Sequence, residues 1–160
     1  MQEKLIKLIQ KQINWELYSA YAYYAVAEYY RSKGLDGFHA YFTTQAREEI
    51  EHAEKFSEYL QDNDVSVALE DIKVLDKKFA SLRDPLVFFV EHEKEVTALI
   101  HAIYREARDE DDIATLNFIS WYVSEQIEEE KTATDLLTKY DLFVKEDPLA
   151  LYHIEKDLVK

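Results

Sequence analysis

Cysteine is absent from the 160 residues, which removes disulfide frameworks, thiolate nucleophiles, iron-sulfur clusters and sulfur-ligated zinc. Any metal must be held through oxygen and nitrogen. Glycine and proline occur twice each, too few for the many tight turns of a sandwich or barrel, so an all-β fold is excluded. No apolar run approaches the ~20 residues of a membrane span. The N-terminal MQEKLIKLIQ alternates charged and apolar residues instead of forming the apolar core of a signal peptide, so a cytoplasmic location is expected. Basic residues are also scarce, with 19 Lys and Arg against 33 Asp and Glu and a net charge of −14. That balance repels phosphate backbones and anionic lipid, disfavouring nucleic acid and membrane partners, and it attracts cations.

What is present is apolar surface, at 48% hydrophobic and 14% aromatic residues, enough for one core in a single domain over residues 1–160. The few Gly and Pro residues punctuate an all-α pattern. Helices are expected over about Gln2 to Arg31, Gly37 to Gln61, Pro85 to Arg108, Ile113 to Tyr140 and Pro148 to Leu158. Asp84-Pro85 reads as an N-cap followed by proline at the first helical position, and Asp147-Pro148 signals the short last helix. The acidic turn Asp109 to Asp112 reads as a cap for the fourth helix, in preference to a cation funnel. Short gaps join the first pair and the second pair of long helices as antiparallel hairpins. The stretch from Asp62 to Asp84 is long enough to run the length of a bundle, so the expected fold is a four-helix bundle, up-down-down-up, with a long crossover between helices two and three and a short fifth helix.

Steps of three and four along each helix give its inward seam. The seams read Ile6, Ile9, Ile13, Glu16, Ala20, Tyr23, Ala27, Tyr30; then Phe38, Phe42, Gln45, Glu49, His52, Phe56, Tyr59; then Leu86, Phe89, Glu93, Val96, Ile100, Ile103, Ala107; and last Ile119, Tyr122, Gln126, Glu129, Ala133, Leu136, Tyr140. Each carries polar groups at mid-length. In aligned helices these share one level, so Glu16, Glu49, His52, Glu93, Gln126 and Glu129 converge inside the bundle. Four carboxylates buried together cost several kcal/mol each unless compensated, and no Lys or Arg lies on a seam at that level. Two divalent cations would cancel the charge, and Glu49 with His52 at i and i+3 presents both ligands on one face. Carboxylate-rich ligation with one imidazole suits iron or manganese.

At these residues the chain resembles the non-haem bacterial and archaeal ferritins. The matching stretches are NWELYSA from Asn14 to Ala20, AREEIEHA from Ala46 to Ala53, His92-Glu93, and WYVSEQIEEEK from Trp121 to Lys131. The resemblance implies a ferroxidase that oxidises Fe(II) with O2 or H2O2 and a hollow shell of twenty-four identical subunits that stores ferric mineral. It implies one iron held by Glu16, Glu49 and His52, a second by Glu49, Glu93 and Glu129, Gln126 close by, and Tyr23 hydrogen-bonded within the centre. Related rubrerythrins and bacterioferritins repeat Glu-x-x-His on the fourth helix, whereas this chain has Gln126 and Glu129 there, so its second site should bind iron more loosely. Bacterioferritin's haem uses methionine, but the only methionine is Met1 and Ile50 occupies the matching position, so no haem is expected.

The same resemblance suggests a third iron site from Glu48, Glu125 and Glu128 with Glu129 shared; the competing reading is a solvated acidic flank. Tyr23, Tyr122 and Trp121 near the centre would either supply electrons or simply pack. His39, His92, His101 and His153 lie off the seams, read as surface residues, and are assigned no role. Off-seam Trp15, Tyr24 and Tyr29, and the Leu151, Ile154 and Leu158 stripe of the last helix, are expected to be covered by neighbouring subunits of a homo-oligomer. The alternative functions are a non-catalytic iron-binding bundle and a di-metal enzyme acting on peroxide, oxygen or an organic substrate.

Overall fold

The computed structural model describes residues 1–145 and 147–160. Its helices are α1 Glu3–Ser32, α2 Asp36–Asp62, α3 Asp84–Asp109, α4 Ile113–Lys139 and α5 Pro148–Asp157, with one π-helical turn, Tyr140–Val144, continuing α4. There is no strand among the described residues, and no helix among them is long and apolar enough to cross a membrane. The expected boundaries hold to within one or two residues, the ordinary uncertainty at frayed helix ends.

Three helix ends close in the same way. Gly34, Asp64 and Asp111 each take a positive φ, and the next residue returns its N–H to the last turn: Leu35 to Tyr30 at 3.1 Å, Val65 to Leu60 at 2.9 Å and Asp112 to Ala107 at 2.9 Å. Aspartate supplies the left-handed residue where a chain so poor in glycine has none. Asp112 then accepts from the Thr115 N–H at 3.0 Å, the expected cap of α4. Asp84 does not cap α3 as expected. Its carboxylate turns back to the N–H groups of Ala80 and Ser81 and to the Ser81 hydroxyl, fixing the end of the crossover, while Pro85 still opens the helix.

The crossover, residues 63–83, runs along α1. Asn14 donates to the Ala68 carbonyl at 3.0 Å and accepts from the Glu70 N–H at 2.7 Å, Gln10 donates to Ser66, and Tyr30 donates to the Leu82 carbonyl at 2.7 Å. Asn14 and Tyr30 lie more than four turns apart on α1, so the connection travels the length of the bundle and sets α2 and α3 parallel. Side chains along it, Val65 and Val67 at one end and Leu75, Phe79 and Leu82 at the other, pack against two apolar clusters.

Those clusters lie on either side of a polar layer. One holds Tyr30, Phe38, Phe42, Leu86, Phe89, Ala133 and Leu136; the other holds Leu5, Ile9, Ile13, Phe56, Leu60, Ile100, Ile103 and Ile119. Every residue of the α3 and α4 seams is buried. On α1, Leu5 takes the buried position and Ile6 is half-buried; on α2, Leu60 does so in place of Tyr59. Both corrections fall at helix ends, where a stepped walk drifts off the 3.6-residue period.

α5 corrects a larger expectation. Its Leu151, Ile154 and Leu158 stripe packs on this same subunit, half-buried against the Tyr30 and Phe38 cluster. Glu155 accepts from the Phe38 N–H at 2.6 Å and so caps α2 across the fold. A Cβ on Gly37 would overlap the Glu155 carbonyl and carboxylate, which explains glycine inside that first turn. The opposite flank remains uncovered, with Leu142, Phe143, Leu149, Tyr152 and Val159 all more than half exposed. Of the three off-seam aromatics, only Tyr24 is exposed; Trp15 and Tyr29 are half-buried by Tyr18, His92 and Phe79.

Candidate metal centre

The polar layer contains Glu16 and Tyr23 from α1, Glu49 and His52 from α2, Glu93 from α3, and Gln126 and Glu129 from α4, each less than a tenth exposed. Ligand atoms of Glu16, Glu49 and His52 all lie within 4.8 Å of one another, the only such group among the described residues. His52 Nδ1 stands 3.3 Å from Glu49 Oε2. Gln12 donates to one oxygen of Glu16 at 2.7 Å, while the other, Oε2, is buried without a protein partner. A buried orphan oxygen costs about 1–3 kcal/mol, and here it borders a cluster of ligand atoms. That donor set is oxygen-rich with one nitrogen, the chemistry of a borderline-hard divalent ion.

The α3 and α4 side of the layer is organised by hydrogen bonds. Tyr23 donates its hydroxyl to Glu93 Oε1, and Gln126 Nε2 donates to Glu93 Oε2 at 3.2 Å and to Thr97 Oγ1 at 3.2 Å. Glu93 and Glu129 are not in the tight group with His52, but their charges act on it and on each other.

Burial is the leading cause of every shift here. It pushes Glu16 and Glu49 well above the usual carboxylate range, reinforced for Glu16 by Glu49 and for Glu49 by Glu93. Glu93 is raised to about 7 by burial, restrained by the bonds from Tyr23 and Gln126, and Glu129 to about 8 by burial and by Glu93. Tyr23 is likewise pushed up, by burial and by Glu93. Among the described residues no Lys or Arg pairs with any of these carboxylates. They therefore hold protons to higher pH than exposed carboxylates do.

The other sequence candidates are more dispersed. Glu48 is half-buried, accepts from Gln45 at 3.0 Å and is raised by burial. Glu125 is half-buried and Glu128 exposed, and the three form no tight ligand group. Tyr122 donates to the His52 carbonyl at 3.1 Å and stacks on Phe56 at 4.1 Å, so it packs the centre's floor. Trp121 meets His52 edge-on at 5.7 Å and lies under Lys55, with the ammonium 4.0 Å from its ring.

Two residues escaped the seam reading. Gln12 lies one turn before Glu16, an i, i+4 polar pair that signalled a carboxylate partner. His92, expected at the surface, is buried: its Nε2 is 2.7 Å from Ser19 Oγ, and burial lowers it to about 4. His39 is half-buried beside Glu28, His101 is half-buried and His153 is exposed.

The ferritin-like domain model matches residues 6–143. A probable bacterial non-heme ferritin-like protein of Haemophilus influenzae is 32% identical over 158 residues, 99% of this chain and 95% of its own. A bacterial non-heme ferritin of Campylobacter jejuni is 34% identical over 142 residues, 89% and 85% of the two chains. Among solved structures, a novel open pore ferritin from the hyperthermophilic archaeon Archaeoglobus fulgidus matches with a TM-score of 0.96 at 37% identity, covering 99% of this chain and 97% of that one. The four-helix bundle with its short C-terminal helix thus has its counterpart in a solved ferritin, and the chain belongs to the ferritin family.

Proposed function

We propose that this protein oxidises Fe(II) at the mid-bundle layer and stores the ferric product as mineral inside a shell of its own copies, twenty-four by analogy with the family. The observation that carries the reading is the buried Glu16, Glu49 and His52 group with its orphan Glu16 oxygen. In this reading iron is substrate and cargo. Glu16, Glu49 and His52 bind one ferrous ion; Glu49, Glu93 and Glu129 bind the second, with Glu49 shared.

The chain's own contributions are positional and electrostatic. Tyr23 and Gln126 hold Glu93 from two sides, so one carboxylate plane is fixed before the second metal arrives. A layer of carboxylates favours the more highly charged ferric product, while dioxygen or hydrogen peroxide takes the electrons. Glu48, Glu125 and Glu128, with Glu129 shared, form a third, looser site on the flank. Gln126 stands where a second imidazole would complete a Glu-x-x-His pair, so the Glu93 and Glu129 site releases its iron more readily than the other.

Aerobic addition of Fe(II), followed by the mass and iron content of the soluble particle, tests this function. Rapid oxidation into particles holding far more iron than binding sites supports storage. Stoichiometric binding without oxidation makes the protein a metal buffer, and repeated turnover of peroxide or an organic substrate without mineral makes it a di-metal enzyme.

A further inference from the structure

An aromatic group beside Tyr23 takes no part in the proposed iron binding. His92 is packed parallel to the Trp15 indole, with ring centroids 5.7 Å apart and planes inclined by 11°. The same ring meets Tyr23 in an edge contact, with centroids 5.4 Å apart and planes inclined by 77°, and Tyr23 donates its hydroxyl to Glu93. Ser19 gives its own proton to the Trp15 carbonyl at 2.9 Å, so at the 2.7 Å contact the imidazole Nε2 is the donor and the ring is held in one tautomer. Trp15 is half-buried, beside Tyr18 at 5.2 Å, on the outer side of this group.

Resting on the ferroxidase reading, we infer that Trp15 is an electron donor to the iron centre, acting through His92 and Tyr23 when peroxide meets a centre that holds a single ferrous ion. Reducing hydrogen peroxide to two waters takes two electrons and two protons, and one ferrous ion supplies only one electron. Tyr23 gives the second, passing its hydroxyl proton to Glu93 along their hydrogen bond. Trp15 then returns an electron to Tyr23, and the proton comes back from Glu93. The net change is one ferrous ion oxidised to ferric, one indole oxidised by one electron, and peroxide with two solvent protons converted to water.

The relay ends at the tryptophan for a structural reason. Trp15 Nε1 is buried without a protein partner, so no protein group takes its proton when the indole is oxidised. Trp121, more exposed and beneath the Lys55 ammonium, is disfavoured as donor because that positive charge opposes the loss of an electron. His92 is a positioning residue, in ring contact with both the indole and the phenol.

The assembled protein, loaded without oxygen with less ferrous iron than centres, is mixed with hydrogen peroxide and frozen for electron paramagnetic resonance. In protein containing ring-deuterated tryptophan the organic radical signal should narrow. In Trp15→Phe the indole signal should be lost and replaced by one that narrows only with ring-deuterated tyrosine. An indole signal that survives Trp15→Phe, or a wild-type radical insensitive to tryptophan labelling although the iron has become ferric, overturns the relay alone. Iron that remains ferrous overturns the ferroxidase reading and the relay with it.

Discussion

Gln126 donates its amide to the Glu93 carboxylate at 3.2 Å, from a position where a charged partner is missing. A neutral donor steadies Glu93 without cancelling its charge, leaving the carboxylate available to a cation. Gln126→Leu keeps the volume and removes the donor. It should raise the Glu93 pKa further and weaken the second ferrous site by ~10- to 100-fold, with the Glu16 and His52 site retained. Anaerobic titration with Fe(II) or Co(II) reads the two steps separately.

Glu49 borders both halves of the layer, so Glu49→Ala should reduce Fe(II) oxidation more than Gln126→Leu, beyond ~100-fold. Stopped-flow absorbance after aerobic mixing measures it, and oxidation at the wild-type rate would remove Glu49 from the shared position.

Metal-free protein should lose stability as pH rises through the neutral range. Glu93 and Glu129 have an ordinary value of 4.5 and are raised to about 7 and about 8 in the fold. Between those limits the folded state binds more protons than the unfolded one, so stability falls with increasing pH. The penalty is absent below 4.5 and complete above about 8. Thermal unfolding from pH 5 to 8.5, compared with Glu129→Gln, isolates this share: the variant should show a flatter decline. A bound divalent cation should remove the slope.

The docking of α5 should depend on Gly37. Gly37→Ala forces a methyl into Glu155, and such overpacking costs about 1–3 kcal/mol. Urea unfolding should show the loss. Truncation after Tyr140 should destabilise the subunit as well as its assembly, because Leu151, Ile154 and Leu158 pack on this chain's own core; unchanged subunit stability would contradict that docking.

Replacing Glu125 and Glu128 together with Ala should change the iron-to-oxygen stoichiometry while initial binding at the buried layer persists. Oxygen-electrode traces against added iron decide between a third site and a solvated flank.

The fold was legible because the chain is periodic and poor in turn formers. Glu16, Glu49, His52, Glu93, Gln126 and Glu129 share mid-helix positions on four seams, and aligned helices brought them to one buried layer. Long-range contacts were not legible. His92 lies off the α3 seam, yet α1 supplies Ser19 and Trp15 to cover it, and no periodicity within one helix reveals that. Asp84 looked like a helix cap because it precedes proline, but the crossover it folds back on offers three donors. The α5 stripe looked unpartnered because Gly37 gives no sequence sign of the gap that Glu155 fills.

In the proposed function ferrous iron binds inside the bundle, between Glu16, Glu49, His52, Glu93 and Glu129. Anomalous scattering at the iron edge from crystals soaked anaerobically in Fe(II) measures this directly. Two peaks are expected in the buried layer, the stronger against Glu16, Glu49 and His52. Iron only on the outer surface, with the buried layer empty and its carboxyls hydrogen-bonded to one another, would contradict it.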